Sequence, residues 1–195
     1  MSGVGADLVL LGLRGSGKTT IAARAGRELG RVVIDLDERT PRYAGRGTVR
    51  EVFDDLGEAA FRDAEVRALA DVLAAQDADV PRIIALGGGT PTASSADGTT
   101  HAADLLREAR DAGRAVLVYL RLRPESLRER VRNADNAHRP ALTAHDPLTE
   151  IQTLHAARDP LYRQLANTTI DCDGREESAT IALVLRAIGP FGATD

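Results

Sequence analysis

Short runs rich in Val, Ile and Leu recur along the chain at 8–11, 32–35, 83–86, 115–120 and 168–172. They show little apolar–polar alternation, the pattern of strands covered on both faces. The stretches between them predict helices over 18–29, 49–56, 58–75, 102–112, 124–131, 147–165 and 178–188. Within 58–75, Phe61, Ala64, Ala68 and Val72 recur at steps of three or four and form one apolar stripe. Strands alternating with helices predict a single α/β domain over residues 1–195, with a central five-stranded parallel sheet flanked by helices. Segments 90–100 and 133–146 are small and polar and predict loops. In such sheets ligands bind at the carboxyl ends of the strands, so the residues following each strand carry the functional information.

Composition narrows the possibilities. The formal net charge of -4 excludes a global basic field for nucleic acid or an anionic membrane. No apolar run approaches the roughly 20 residues that span a bilayer. Residues 1–13 lack a charged leader pattern, which points to the cytoplasm. One cysteine, Cys172, excludes an internal disulfide framework and reads as a small core residue. Of 25 basic residues 24 are Arg, and the one Lys is Lys18. A chain that uses Arg everywhere else keeps Lys where a compact ammonium is needed in place of a planar fork.

That lysine falls in Gly12-Leu13-Arg14-Gly15-Ser16-Gly17-Lys18-Thr19, between a predicted strand and a predicted helix. The string fits G-x-x-x-x-G-K-[ST], the phosphate-binding P-loop. Its glycines let backbone N–H groups turn toward phosphate oxygens, and the following helix points its N-terminus at the anion. Lys18 serves the β- and γ-phosphates and the Thr19 hydroxyl serves Mg²⁺. The motif implies nucleotide binding on a P-loop NTPase fold without naming the reaction.

Three further strand ends carry candidate chemistry. Asp35 and Asp37 close the second strand and point the same way if the extended conformation persists. Asp35 is placed to serve Mg²⁺ through water, and Asp37 to take a proton from an acceptor hydroxyl. The competing reading is a helix N-cap followed by a solvated acid. Gly87-Gly88-Gly89 ends the third strand, where backbone can approach a small ligand or simply turn. Arg62, Arg139 and Arg163 are candidate anion clamps, although charge and spacing do not separate them from solvated surface arginines. Phe53 and Phe61 fit either a pocket wall or plain core packing. His101, His138, His145 and His155 lack metal-ligand spacing and read as surface or structural residues.

Taken in order, residues 15–20 (Gly-Ser-Gly-Lys-Thr-Thr), Asp35-Leu36-Asp37, Phe61-Arg62 with Glu65, Gly87-Gly88-Gly89, Arg139-Pro140 and Leu161-Tyr162-Arg163 closely resemble the shikimate kinase family. The resemblance runs from about residue 8 to 185. It implies a small kinase of the nucleoside monophosphate kinase type, with the P-loop at 12–19, a substrate-binding region at 37–75 and a lid at 133–146. The implied activity is transfer of the ATP γ-phosphate to the 3-hydroxyl of shikimate, with Mg²⁺, in a monomer.

Site roles follow from the resemblance position by position. Gly15, Ser16, Gly17, Lys18, Thr19 and Thr20 hold the nucleotide, and Thr19 and Asp35 the metal. Asp37 binds the shikimate hydroxyls and acts as base. Arg62 and Arg163 clamp the carboxylate, and Gly87, Gly88 and Gly89 line the substrate. Arg139 reaches the ATP phosphates from the lid, while Arg132, and less directly Arg175, flank adenine.

The chain departs from the family in length. Between Gly89 and the fourth strand it is roughly ten residues longer than the resemblance implies, with the excess at 92–103. That segment either decorates the surface or covers the pocket. Two other functions keep the P-loop: a kinase of a gluconate-like acid and a non-catalytic ATP-binding module. The first needs a different acceptor pocket, and the second has no need of an acceptor base at Asp37.

Overall fold

The computed structural model describes residues 5–75, 80–133 and 147–189. Five strands, β1 (Asp7–Leu11), β2 (Val33–Asp35), β3 (Ile83–Ala85), β4 (Ala115–Arg121) and β5 (Thr168–Asp171), form one sheet in the order β2-β3-β1-β4-β5. Every pairing is parallel, as the unalternating runs predicted. Central β1 is fully covered: Leu8, Val9, Leu10 and Leu11 are each 0% exposed. It pairs with β3 on one side and β4 on the other, so the chain leaves it in opposite directions and opens a crevice at its carboxyl end.

The helices are α1 (Lys18–Leu29), α2 (Leu36–Tyr43), α3 (Val49–Ala74), α4 (Ala102–Asp111), α5 (Pro124–Asn133), α6 (Pro147–Leu165) and α7 (Glu177–Ala187). The two helices expected over 49–56 and 58–75 form one run, α3, broken in direction at Gly57. Gly57 sits at φ 79 and ψ 177, a conformation essentially reserved for glycine. A capping box starts α3: the Thr48 hydroxyl accepts the Glu51 N–H, and the Glu51 carboxylate accepts the Thr48 N–H. The apolar stripe is buried as expected, with Phe61, Ala64, Ala68 and Val72 all in the interior.

α2 corrects the sequence reading, which left 36–43 without structure. Extended backbone ends at Asp35, whose side chain accepts the Asp37 N–H at 3.0 Å as the helix N-cap. Asp35 and Asp37 therefore do not alternate along a strand; one caps α2 and the other lies in its first turn. The expected loop at 90–100 opens with a 3₁₀ turn over Thr90–Thr92 and closes through an antiparallel bridge between Ser94 and His101. No helix among the described residues is long and apolar enough to cross a membrane. The lid at 133–146, with Arg139, His138 and His145, lies outside the described residues apart from the Asn133 backbone that ends α5.

Candidate active site

The P-loop leaves the crevice end of β1. Gly17 takes φ 91 as the N-cap of α1, so the helix begins at Lys18 with no side chain over its first N–H groups. Lys18 is buried, and its ammonium donates to the carbonyls of Gly12 at 2.8 Å and Leu13 at 3.1 Å. The Ser16 hydroxyl is buried in the same loop without a hydrogen-bond partner among the described residues. A buried polar atom in that position costs free energy unless a ligand satisfies it. Thr19 donates its hydroxyl to the free oxygen of Asp35 at 2.9 Å, which ties the start of α1 to the end of β2. Thr20 is exposed on the first turn of α1.

Across the crevice, Gly87-Gly88-Gly89 follows β3 and is approached from every side. A Cβ at Gly88 would stand 2.8 Å from the backbone nitrogen of Arg14, so the P-loop packs directly on this residue. The corresponding space at Gly87 holds the Asp37 carboxylate, with Glu65 and Thr90 each 2.8 Å away. At Gly89 it holds the Arg62 guanidinium. Only glycine allows the three walls to meet this closely. The strand end that sequence alone left between a turn and a ligand platform is thus the meeting point of the P-loop, α2 and α3.

Arg62 is held in place from its own helix. It donates to Glu65 at 2.5 Å and to Glu58 at 3.0 Å, and its guanidinium lies 5.5 Å from the Phe61 ring centre. Glu65 is 1% exposed and also accepts the Thr90 hydroxyl at 2.6 Å. Burial pushes the Glu65 carboxyl up, against the pull of Arg62 and Thr90. Burial works against the Arg62 charge, but the carboxylates of Glu65 and Glu58 hold that guanidinium above its ordinary value. Phe61 is buried and packs on half-buried Phe53 at 4.8 Å across the Gly57 bend, so the two rings join core and rim.

α6 brings the largest difference from the sequence reading. Arg163 is exposed and donates to Asp159 on its own helix at 2.8 Å, away from the Gly87–Gly89 platform. Arg158 does reach it: its guanidinium donates to the Gly88 carbonyl at 2.9 Å. The buried Tyr162 hydroxyl donates to the same carbonyl at 2.7 Å. Burial lifts the Tyr162 phenol to about 12, where Arg158, Glu65 and Arg62 all act on it. The sequence reading singled out Arg163 on this helix and not Arg158. Asp159 stands four residues before Arg163, the orientation in which a helix pairs acid and base, and the two meet on α6, where Arg163 is exposed.

On the nucleotide side, α5 packs on the P-loop. A Cβ at Gly15 would lie 3.0 Å from a Val131 methyl, and one at Gly17 would lie 3.7 Å from the Arg130 guanidinium. Arg132 is exposed near the end of α5. Arg175 donates to the Asp171 carbonyl at 2.6 Å. Cys172 is buried, and burial pushes its thiol up, consistent with a packing residue. His101 shares a 2.8 Å hydrogen bond with the Ser94 hydroxyl, and His155 is buried in α6. The longer segment docks on α3: the Ala96 N–H donates to Asp63, the neighbour of Arg62, at 2.9 Å. Asp97 at its tip is held down to about 2 by hydrogen bonds from Ser95 and Thr99.

Comparisons with known proteins agree with this geometry. The family model for shikimate kinase matches residues 14–188. A shikimate kinase of Symbiobacterium thermophilum is 35% identical over 95% of this chain and 98% of its own length. One of Dechloromonas aromatica is 32% identical over 92% of this chain and 88% of its own. The structure of the Acinetobacter baumannii shikimate kinase in complex with shikimate aligns with a TM-score of 0.77 and 28% identity, covering 94% of this chain and 93% of that one. A gluconokinase of Sinorhizobium meliloti aligns with a TM-score of 0.56 at 15% identity and shares the fold alone. A P-loop, a glycine platform between two arginines, and a family match across nearly the whole length converge: the chain belongs to the shikimate kinase family and carries that family's ATP-dependent phosphotransferase activity.

Proposed function

We propose that this chain transfers the ATP γ-phosphate to the 3-hydroxyl of shikimate, yielding shikimate 3-phosphate and ADP, as a cytoplasmic monomer. The observation that carries this reading is the packing of Gly88 between the P-loop backbone and the Arg158 and Tyr162 donors. It supports a reading in which a triphosphate on the P-loop and an acid on the glycine platform lie next to each other, as direct phosphoryl transfer requires.

The acceptor oxygen forms a bond to the γ-phosphorus while the bond to the β–γ bridging oxygen breaks, and ADP leaves. Asp37, beside Gly87, takes the hydroxyl proton. Lys18 neutralises charge on the β- and γ-phosphates once it exchanges the carbonyls of Gly12 and Leu13 for them. The Gly15–Thr20 loop binds the phosphates, with the unpartnered Ser16 hydroxyl among its donors. The family resemblance assigns Arg139 to the ATP phosphates and Arg132 to adenine.

The donor set also suits Mg²⁺. A hydroxyl and a carboxylate oxygen 2.9 Å apart, beside a phosphate pocket, match an ion that keeps most of its waters and takes few protein ligands. Thr19 and Asp35 would hold it, and when bound it would neutralise phosphate charge.

The carboxylate clamp is assigned to Arg62 and Arg158, which meet the glycine platform, in place of Arg163, which is exposed and paired with Asp159. Arg158→Ala is expected to raise the KM for shikimate about tenfold to a hundredfold, the loss of a charge-assisted hydrogen bond, with little change in the KM for ATP. Arg163→Ala should change it far less. Equal losses for both substrates in Arg158→Ala would refute the clamp. The reaction itself is tested by ADP release across a panel of small acids. Stimulation by shikimate and none by gluconate is the expected result; the reverse overturns the assignment.

A further inference from the structure

α6 carries two pairs at helical spacing, and they face different ways. Arg158 and Tyr162 are four apart and both donate to the Gly88 carbonyl. Asp159 and Arg163 are also four apart and meet each other. A helix turns about 100° per residue, so Arg158 and Arg163, five apart, point about 140° away from each other, and the rotation of α6 decides how squarely Arg158 meets the platform.

Asp159 is where that rotation is fixed. One of its oxygens accepts the Tyr119 hydroxyl at 2.9 Å and the Arg121 Nε at 2.8 Å, both from β4. The other accepts Arg163 Nε at 2.8 Å. The His155 ring nitrogen stands 3.8 Å from the first oxygen. The Asp159 side chain is only 15% exposed, and Tyr119 is fully buried and packs edge-on against Tyr162 at 5.4 Å. β4 is bonded to the central strand along its length, which makes it a rigid anchor. One carboxylate therefore bolts α6 to the sheet and withdraws Arg163 into an intrahelical pair.

We propose that Asp159 is a positioning residue for shikimate: its three-donor junction with Tyr119, Arg121 and Arg163 sets the rotation of α6 that presents Arg158 to the substrate carboxylate. This rests on the assignment of Arg158 to the clamp. Without Asp159, Arg163 loses the carboxylate it pairs with, Arg121 is left with Asp171 at 3.9 Å, and the aim of Arg158 is no longer fixed.

A double-mutant cycle tests it. Asp159→Ala is expected to raise the KM for shikimate about tenfold with the KM for ATP unchanged, and Asp159→Asn, which keeps one acceptor, to raise it less. In an Arg158→Ala background, Asp159→Ala should add less than about twofold, because the aim of an absent arginine has no effect. Tyr119→Phe, which removes a single donor, supplies the same cycle should Asp159→Ala fail to fold. A full additional loss in the Arg158→Ala background, a parallel loss for ATP, or no change in the KM for shikimate on Asp159→Ala overturns the proposal. These outcomes are separate from failure of the clamp, which appears as an unchanged KM in Arg158→Ala alone.

Discussion

Asp37→Asn is expected to lower kcat by about a hundredfold to ten-thousandfold while leaving the affinity for ATP near that of the wild type. The Asp37 carboxylate lies against Gly87 at the substrate side of the crevice. Asparagine keeps the shape and loses the proton acceptor. ATP binding by calorimetry and turnover by ADP release separate the two effects. A non-catalytic nucleotide switch would have no use for the carboxylate, so unchanged turnover would remove Asp37 as base.

Glu65→Ala carries the second large effect, and it falls first on stability. The carboxylate is buried and satisfies both Arg62 and Thr90. Removing it leaves a hydroxyl without its acceptor and a guanidinium, 17% exposed, with only the more exposed Glu58 as counter-charge. Breaking a buried pair from one side costs about 3 kcal/mol, a large part of the 5–15 kcal/mol of a typical domain. Urea unfolding should show that loss, and the KM for shikimate should rise as Arg62 loosens. A variant as stable as the wild type would show that the Glu65 carboxylate is not the support described for Arg62.

The legible parts of this fold share a physical cause. Parallel strands buried on both faces must be continuously apolar, so the five runs stood out, and the P-loop followed from fixed steric demands on Gly12, Gly17 and Lys18. α2 was hidden because a proline and a charged face mask its short inward side, Leu36, Thr40 and Pro41. Its start was written in Asp35, which has the chemistry of an N-cap as well as of a metal ligand. The glycines and Arg62 that the sequence singled out do come together, whereas helical spacing did not say which arginine of α6, Arg158 or Arg163, meets the Gly88 carbonyl. The hydrogen bonds that tie Asp159 of α6 to Tyr119 and Arg121 come from a strand some forty residues earlier in the chain. Periodicity reports which face of a helix is apolar; it does not report how a polar junction turns that helix.

The buried ammonium clasped by the Gly12 and Leu13 carbonyls has a practical corollary. Because no other lysine side chain exists in this protein, growth on isotopically enriched lysine would label a single ε-amine, giving one resonance whose frequency follows the occupancy of the triphosphate cradle. The near-total preference for guanidinium elsewhere thus supplies a built-in spectroscopic reporter, with no engineered tag and no spectral crowding.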